Sequence, residues 1–94
     1  MIKVVAKNKI KEEKLETVLG LYQELVQETR KEDGCILYEL FQDIDDSTVL
    51  TMIEEWEDKD SLDRHMNTEH FMRIVPMVGE HVTERALNIY HKVY

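Results

Sequence analysis

The first residues alternate. Ile2, Val4 and Ala6 share one parity and Lys3, Val5 and Lys7 the other, which predicts a strand over Ile2–Lys7. From Lys11 to Glu32 the period changes. Leu15, Val18, Leu19, Tyr22, Leu25 and Val26 recur at three- and four-residue steps, the apolar stripe of a long amphipathic helix. Gly34, just past that stripe, suits a left-handed cap. Gly20 inside it costs about 1 kcal/mol against alanine and leaves room for another backbone to approach. Cys35–Gln42 and Thr48–Trp56 read as two strands, and the polar run Asp43–Ser47 between them suits a hairpin. Asp58–Asn67 reads as a short helix with Leu62 and Met66 on one side. Thr68 then caps a third helix carrying Phe71, Ile74, Val75 and Val78, which Pro76 bends or shortens. Arg85–Val93 is a last strand.

The order is β-α-β-β-α-β with the second helix broken in two. It predicts one α+β domain over residues 1–94 with a ferredoxin-like fold, an antiparallel sheet with helices on one face. A sheet with one wet face should alternate apolar and polar positions. Here Ile36, Tyr38 and Leu40 oppose Cys35, Leu37 and Phe41. Leu50, Met52 and Trp56 oppose Val49 and Ile53, and Leu87, Ile89 and Val93 oppose Ala86 and Tyr90. Both faces are apolar, and a wet second face would exceed what soluble monomers usually expose. The expectation is a homodimer, two sheets face to face in one α+β barrel that encloses a dry chamber. The competing explanation is β-propensity alone, which favours such side chains on either face.

Composition narrows the partners. Twenty acidic against 12 basic residues give a formal charge of -8, with no basic cluster to offset it, so neither nucleic acid nor an anionic membrane is expected as a partner. A single cysteine, Cys35, rules out an internal disulfide, and without an obvious base nearby it reads as a small apolar residue. No apolar run approaches the roughly 20 residues of a membrane span, and the N-terminus lacks the apolar stretch of a secretion signal. The expected location is cytoplasmic.

Glu32-Asp33-Gly34-Cys35-Ile36-Leu37-Tyr38 resembles the E-x-G-C-x-x-Y signature of antibiotic-biosynthesis-monooxygenase domains. Glu54-Glu55-Trp56 continues the resemblance as E-x-W, His65 follows at the family's usual distance, and Thr68-Glu69-His70-Phe71 is similar to its T-x-H-hydrophobic segment. The likeness runs over nearly the whole chain, and nearest in character are the small quinol monooxygenases. That resemblance implies oxidation of a small aromatic substrate by dioxygen without metal, flavin or haem.

Such chemistry needs a group to take a proton, groups to steady the resulting anion, and apolar walls that exclude water. A neutral histidine suits the first task, and His65 is the candidate catalytic base; the competing role is a helix-end histidine bonded to backbone. Candidates for substrate contact are Asn8, Tyr38, Glu54, Trp56, His70 and Phe71, each with a structural alternative. Asn8 can close a turn, and Tyr38, Trp56 and Phe71 can be core. Glu54 can anchor a fold-specifying pair, and His70 can bond the preceding turn. His81 and His91 carry no motif and read as surface residues. No metal ligand set is expected, because His65-x4-His70 straddles a helix break.

Three other activities fall within the resemblance. An isomerase of phosphorylated sugars would need basic residues at the pocket, for which Lys7, Lys9 and Arg64 are the candidates. Haem degradation would need an iron-ligating histidine where Val75 stands, although Val5-Ala6-Lys7-Asn8 is similar to those relatives. A non-catalytic ligand-binding dimer is the remaining alternative.

Overall fold

The computed structural model describes all 94 residues, Met1–Tyr94. Strand β1 (Ile2–Ile10) is followed by one 3-10 turn (Glu12–Lys14) and helix α1 (Leu15–Thr29). Then come β2 (Cys35–Gln42), β3 (Val49–Trp56), α2 (Lys59–Met66), α3 (Glu69–Gly79) and β4 (Val82–His91). The sheet order is β2-β3-β1-β4 and every neighbouring pair is antiparallel. This is the ferredoxin-like arrangement, with its second helix divided into α2 and α3.

The register builds the helix-side face in rows. Tyr38, Glu54, Val4 and Ile89 form one row across the four strands; Leu40, Met52, Ala6 and Leu87 form the next. Gln42, Leu50, Asn8 and Arg85 form a third. Against these rows pack Val18, Tyr22 and Leu25 of α1, Leu62 of α2, and Ile74 and Val78 of α3. The helices lie over β2 and β3 and leave β4 uncovered. Leu87 and Ile89 therefore stay 62% and 50% exposed although they sit on the helix side.

Several elements depart from the reading above. Helix α1 ends at Thr29, so Glu32 lies in a turn rather than in a helix. Gly34 does not cap α1. Its φ of +85° serves the turn into β2, where an added Cβ would stand 2.1 Å from Ser61 Oγ and 2.6 Å from Ser61 Cβ. Its carbonyl accepts from the Glu57 amide at 2.8 Å. A Cβ added at Gly20 would meet nothing within 4 Å, so no neighbouring backbone approaches it there. Pro76 stands inside α3, which continues to Gly79.

The second face of the sheet is mixed rather than uniformly apolar. A register shift between Cys35 and Leu37 puts Cys35 opposite Trp56, on the Tyr38 side, and the pairing assigns Leu87 and Ile89 to the helix side. What remains on the second face is Val5, Leu37, Phe41, Val49, Ile53 and Tyr90, interleaved with Lys3, Lys7, Glu39 and Glu55. No helix is long and apolar enough to cross a membrane.

Candidate active site

Two capped helices meet at a pinned corner. Asp58 Oδ1 accepts from the Ser61 amide and the Ser61 hydroxyl, both at 2.8 Å, and so starts α2. Thr68 Oγ1 accepts from the Phe71 amide at 3.3 Å to start α3, and donates to the His65 carbonyl at 2.7 Å. The corner sets His65 in the last turn of α2 and His70 in the first turn of α3. Glu32 reaches both from the turn before β2. Its Oε2 lies 2.8 Å from His65 Nδ1 and 2.6 Å from His70 Nε2.

A carboxylate oxygen only accepts, so both facing nitrogens carry hydrogen. For a neutral His65 that leaves the lone pair on Nε2, which is buried and has no partner. The ring sits among aromatics: Trp56 at 4.6 Å, Phe71 at 5.0 Å and Tyr38 at 5.3 Å between centroids. Burial holds the His65 pKa below the ordinary value of 6.5, while Glu32 pulls the other way.

The His65 ring lines a cavity of about 200 Å³ bounded by the helix-side rows, α1 and α3. Tyr38, Glu54 and Leu62 stand at the His65 end; Met52, Phe71, Val75 and Leu87 form an apolar middle; Asn8, Tyr22 and Arg85 stand at the far end. The Glu54 and Asn8 rows are four residues apart along β1, or about 13 Å. The cavity thus belongs to one chain and lies on the helix side. This cavity lies between the sheet and its helices rather than between two facing sheets, and of the second-face residues only Ala86 lines it.

Glu54 is buried, and its Oε1 accepts from Trp56 Nε1 at 2.9 Å. Burial, with the Glu32 charge adding to it, pushes its carboxyl up to about 7. Burial also raises Tyr38 and Tyr22 above the usual phenol value. Asn8 Nδ2 donates to the Tyr22 hydroxyl oxygen at 2.9 Å. Cys35 is half-buried and pushed up to about 11 by burial, which keeps it a thiol.

Of the residues singled out in the sequence, Asn8, Tyr38, Glu54, His65 and Phe71 share this cavity. Trp56 and His70 do not line it. Trp56 is core behind Glu54, and His70 reaches the site through Glu32. Three residues were not singled out: Glu32, Tyr22 and Arg85. Glu32 heads the E-x-G-C segment, Tyr22 sat within the helix stripe, and Arg85 had no sequence signal. Lys7, Lys9 and Arg64 do not converge on the cavity. Lys7 is exposed on the second face, Lys9 pairs with Asp46 at 3.2 Å, and Arg64 donates to Ser61 Oγ at 3.0 Å.

Glu32 also alters the argument against a metal. One donor atom from each of Glu32, His65 and His70 lies within 4.8 Å of the others, so the helix break between the histidines does not keep a ligand set apart. As arranged, a single oxygen accepts from both nitrogens at hydrogen-bond length, and an ion would have to displace both protons.

The sequence profile described as Antibiotic biosynthesis monooxygenase matches residues 1–77. The chain belongs to that family. The Bacillus subtilis protein YcnE is 37% identical over 80% of this chain and 79% of its own length. A crystal structure of an antibiotic biosynthesis monooxygenase superposes with a TM-score of 0.95 at 42% identity, covering 100% of both chains. A conserved protein from Methanosarcina mazei Go1 superposes with a TM-score of 0.94 at 44% identity, covering 97% of this chain and 91% of that one. Family membership fits the placement of the shared motifs. The E-x-G-C turn supplies Glu32 and Gly34, the E-x-W strand supplies Glu54 and Trp56, and the T-x-H corner supplies Thr68 and His70.

Proposed function

We propose that the protein is a cofactor-independent monooxygenase that oxidises a small quinol- or phenol-like aromatic with dioxygen, working as a cytoplasmic homodimer. One observation carries the reading. His65 has one ring nitrogen held by Glu32 and the other unpartnered, on a ring that lines an apolar cavity.

In this reading His65 Nε2 takes the phenolic proton, and Glu32 fixes the tautomer and steadies the imidazolium that forms. His70 holds the same Glu32 oxygen and is a positioning residue. The substrate anion gives an electron to dioxygen, so the electron source is the substrate itself. For a hydroquinone the balance closes with one oxygen atom added to the ring and the other leaving as water, which carries away two hydrogens. Met52, Phe71, Val75 and Leu87 supply apolar walls. Burying the second sheet face against another copy accounts for the apolar residues there.

The test is dioxygen uptake with reduced menadione above the autoxidation rate, with isotopic oxygen appearing in a hydroxylated quinone. His65→Ala and Glu32→Gln should each lower kcat/KM by about 10²–10³-fold. The acid limb of the wild-type profile should fall below pH 6.5, because burial depresses the His65 pKa. In Glu32→Gln the limb should move lower still, since the group that opposes that depression is gone. Dialysis against EDTA should leave the rate unchanged; loss of rate restored by zinc would reassign Glu32, His65 and His70 to a metal. Tight binding of the aromatic without turnover would make the protein a sensor.

A further inference from the structure

The far end of the cavity has a chemistry of its own. The chain has four arginines, and three are engaged: Arg30 with the Tyr38 carbonyl, Arg64 with Ser61, and Arg73 with Glu24 and Glu69. Arg85 makes no hydrogen bond or ion pair. It stands opposite Asn8 in the β1–β4 ladder and lines the cavity. It also lines an open recess of about 60 Å³ that shares Asn8, Tyr22, Val75 and Arg85 with the cavity and is otherwise lined by Val78, Gly79 and Val82. Arg85 Nη2 lies 3.6 Å from where a Cβ on Gly79 would be, ordinary van der Waals distance, which puts the guanidinium beside the C-terminal end of α3.

The neighbours of Arg85 are donors. The Tyr22 oxygen already accepts from Asn8 Nδ2, which leaves its hydroxyl proton free to donate. Burial keeps that proton on Tyr22. The opposite end of the cavity holds Glu54 and the Glu32-bound His65, which are acceptors and bases. The cavity therefore has a donor end and a base end about 13 Å apart, with an apolar middle.

We infer that Arg85, with Tyr22 and Asn8, recognises a carboxylate on the substrate, so that the natural ligand is an aromatic acid whose ionisable hydroxyl lies toward His65. The inference rests on the proposed oxidation only for the role of that hydroxyl. A guanidinium fork matches a carboxylate in two parallel bonds. A phosphate dianion fits less well, since the recess offers one cation and α3 turns its C-terminal, partly negative end toward it. On a chain of charge -8, an unpaired cation at the cavity is also what an anionic ligand needs for entry.

Calorimetric titration of the full-length protein with 6-hydroxy-2-naphthoate, 2-naphthol and 2-naphthyl phosphate tests this, the 2,6-pattern putting carboxylate and hydroxyl at opposite ends of the ring. The carboxylate should bind about tenfold or more tighter than the naphthol, the margin of one charge-assisted pair. Arg85→Gln should remove that margin while changing the naphthol affinity little, and Arg85→Lys should restore part of it. Equal binding of carboxylate and naphthol by wild type would overturn the inference and leave the oxidation reading standing. Failure to bind any of the three would overturn both. Tighter binding of the phosphate would replace the carboxylate with a phosphorylated substrate. A fall in melting temperature in Arg85→Gln with affinities unmoved would make Arg85 only a partner for the C-terminal end of α3.

Discussion

Glu54 is a carboxyl that the fold holds against its preference. In the unfolded chain it titrates near 4.5, and in the native protein burial pushes it up to about 7. Between those values the native state binds the extra proton, so this contribution to stability is complete below pH 4.5 and is lost as pH rises through about 7. Glu54→Gln removes the charge and keeps an oxygen that can accept from Trp56. At pH 8 the variant should be more stable than wild type by up to about 3 kcal/mol, a gap that closes toward pH 5. Urea midpoints at the two pH values measure it, and a pH-independent difference would mean that Glu54 is not the titrating group. The residue-level signals visible in the sequence were those with a chemical mismatch, such as a glutamate between Met52 and Trp56. Glu32 carried only its place at the head of the E-x-G-C segment and no mismatch, because a long helix pattern running through it hid the fact that its helix stops at Thr29. Arg85 showed none either, since only the β1–β4 pairing brings it to Asn8.

The elements were legible wherever one period governed them. The stripe from Leu15 to Val26 and the Thr68 cap appear where the pattern puts them. The Ile36 irregularity was not legible, because one added residue shifts parity without changing which residues are apolar. The turn at Gly34 decides how these elements meet. It carries a positive φ and touches Ser61 in the first turn of α2, so it fixes the distance between Glu32 and the helix that bears His65. Gly34→Ala introduces left-handed strain of about 1–2 kcal/mol and adds a clash with Ser61. We expect a total loss of about 2–4 kcal/mol by denaturant unfolding, together with lower activity as α2 is displaced from Glu32. Adding Ser61→Gly should recover the steric part and leave the backbone part. Complete recovery in the double variant would show that the backbone conformation costs nothing, and no recovery would show that contact with Ser61 is unimportant.

At the scale of the whole molecule, the two sheet faces have separate tasks. The helix-side face carries the cavity within one chain. The second face presents Val5, Leu37, Phe41, Ile53 and Tyr90 among paired charges such as Lys3 and Glu55, 3.4 Å apart. Val5 and Ile53 are direct partners on the two central strands, so a two-fold axis near them would bring the apolar positions of two copies together. The flanking Lys and Glu residues would then meet as opposite charges at the rim. A lysine at position 53 would place like charges near that axis while leaving the helix-side core untouched. Ile53→Lys should therefore sediment as a single chain at micromolar concentration, where the proposed dimer has wild type sedimenting at twice that mass, and should keep its helical and strand signal. Its cavity, lined within one chain though open along β4, should still bind a naphthalene-sized ring, with an affinity reduced only as far as the lone sheet loosens. A wild type that sediments as one chain would leave the second face without an occupant and remove the dimer from the proposal. A monomeric variant that loses all binding would show that the partner shapes the cavity through the shared sheet.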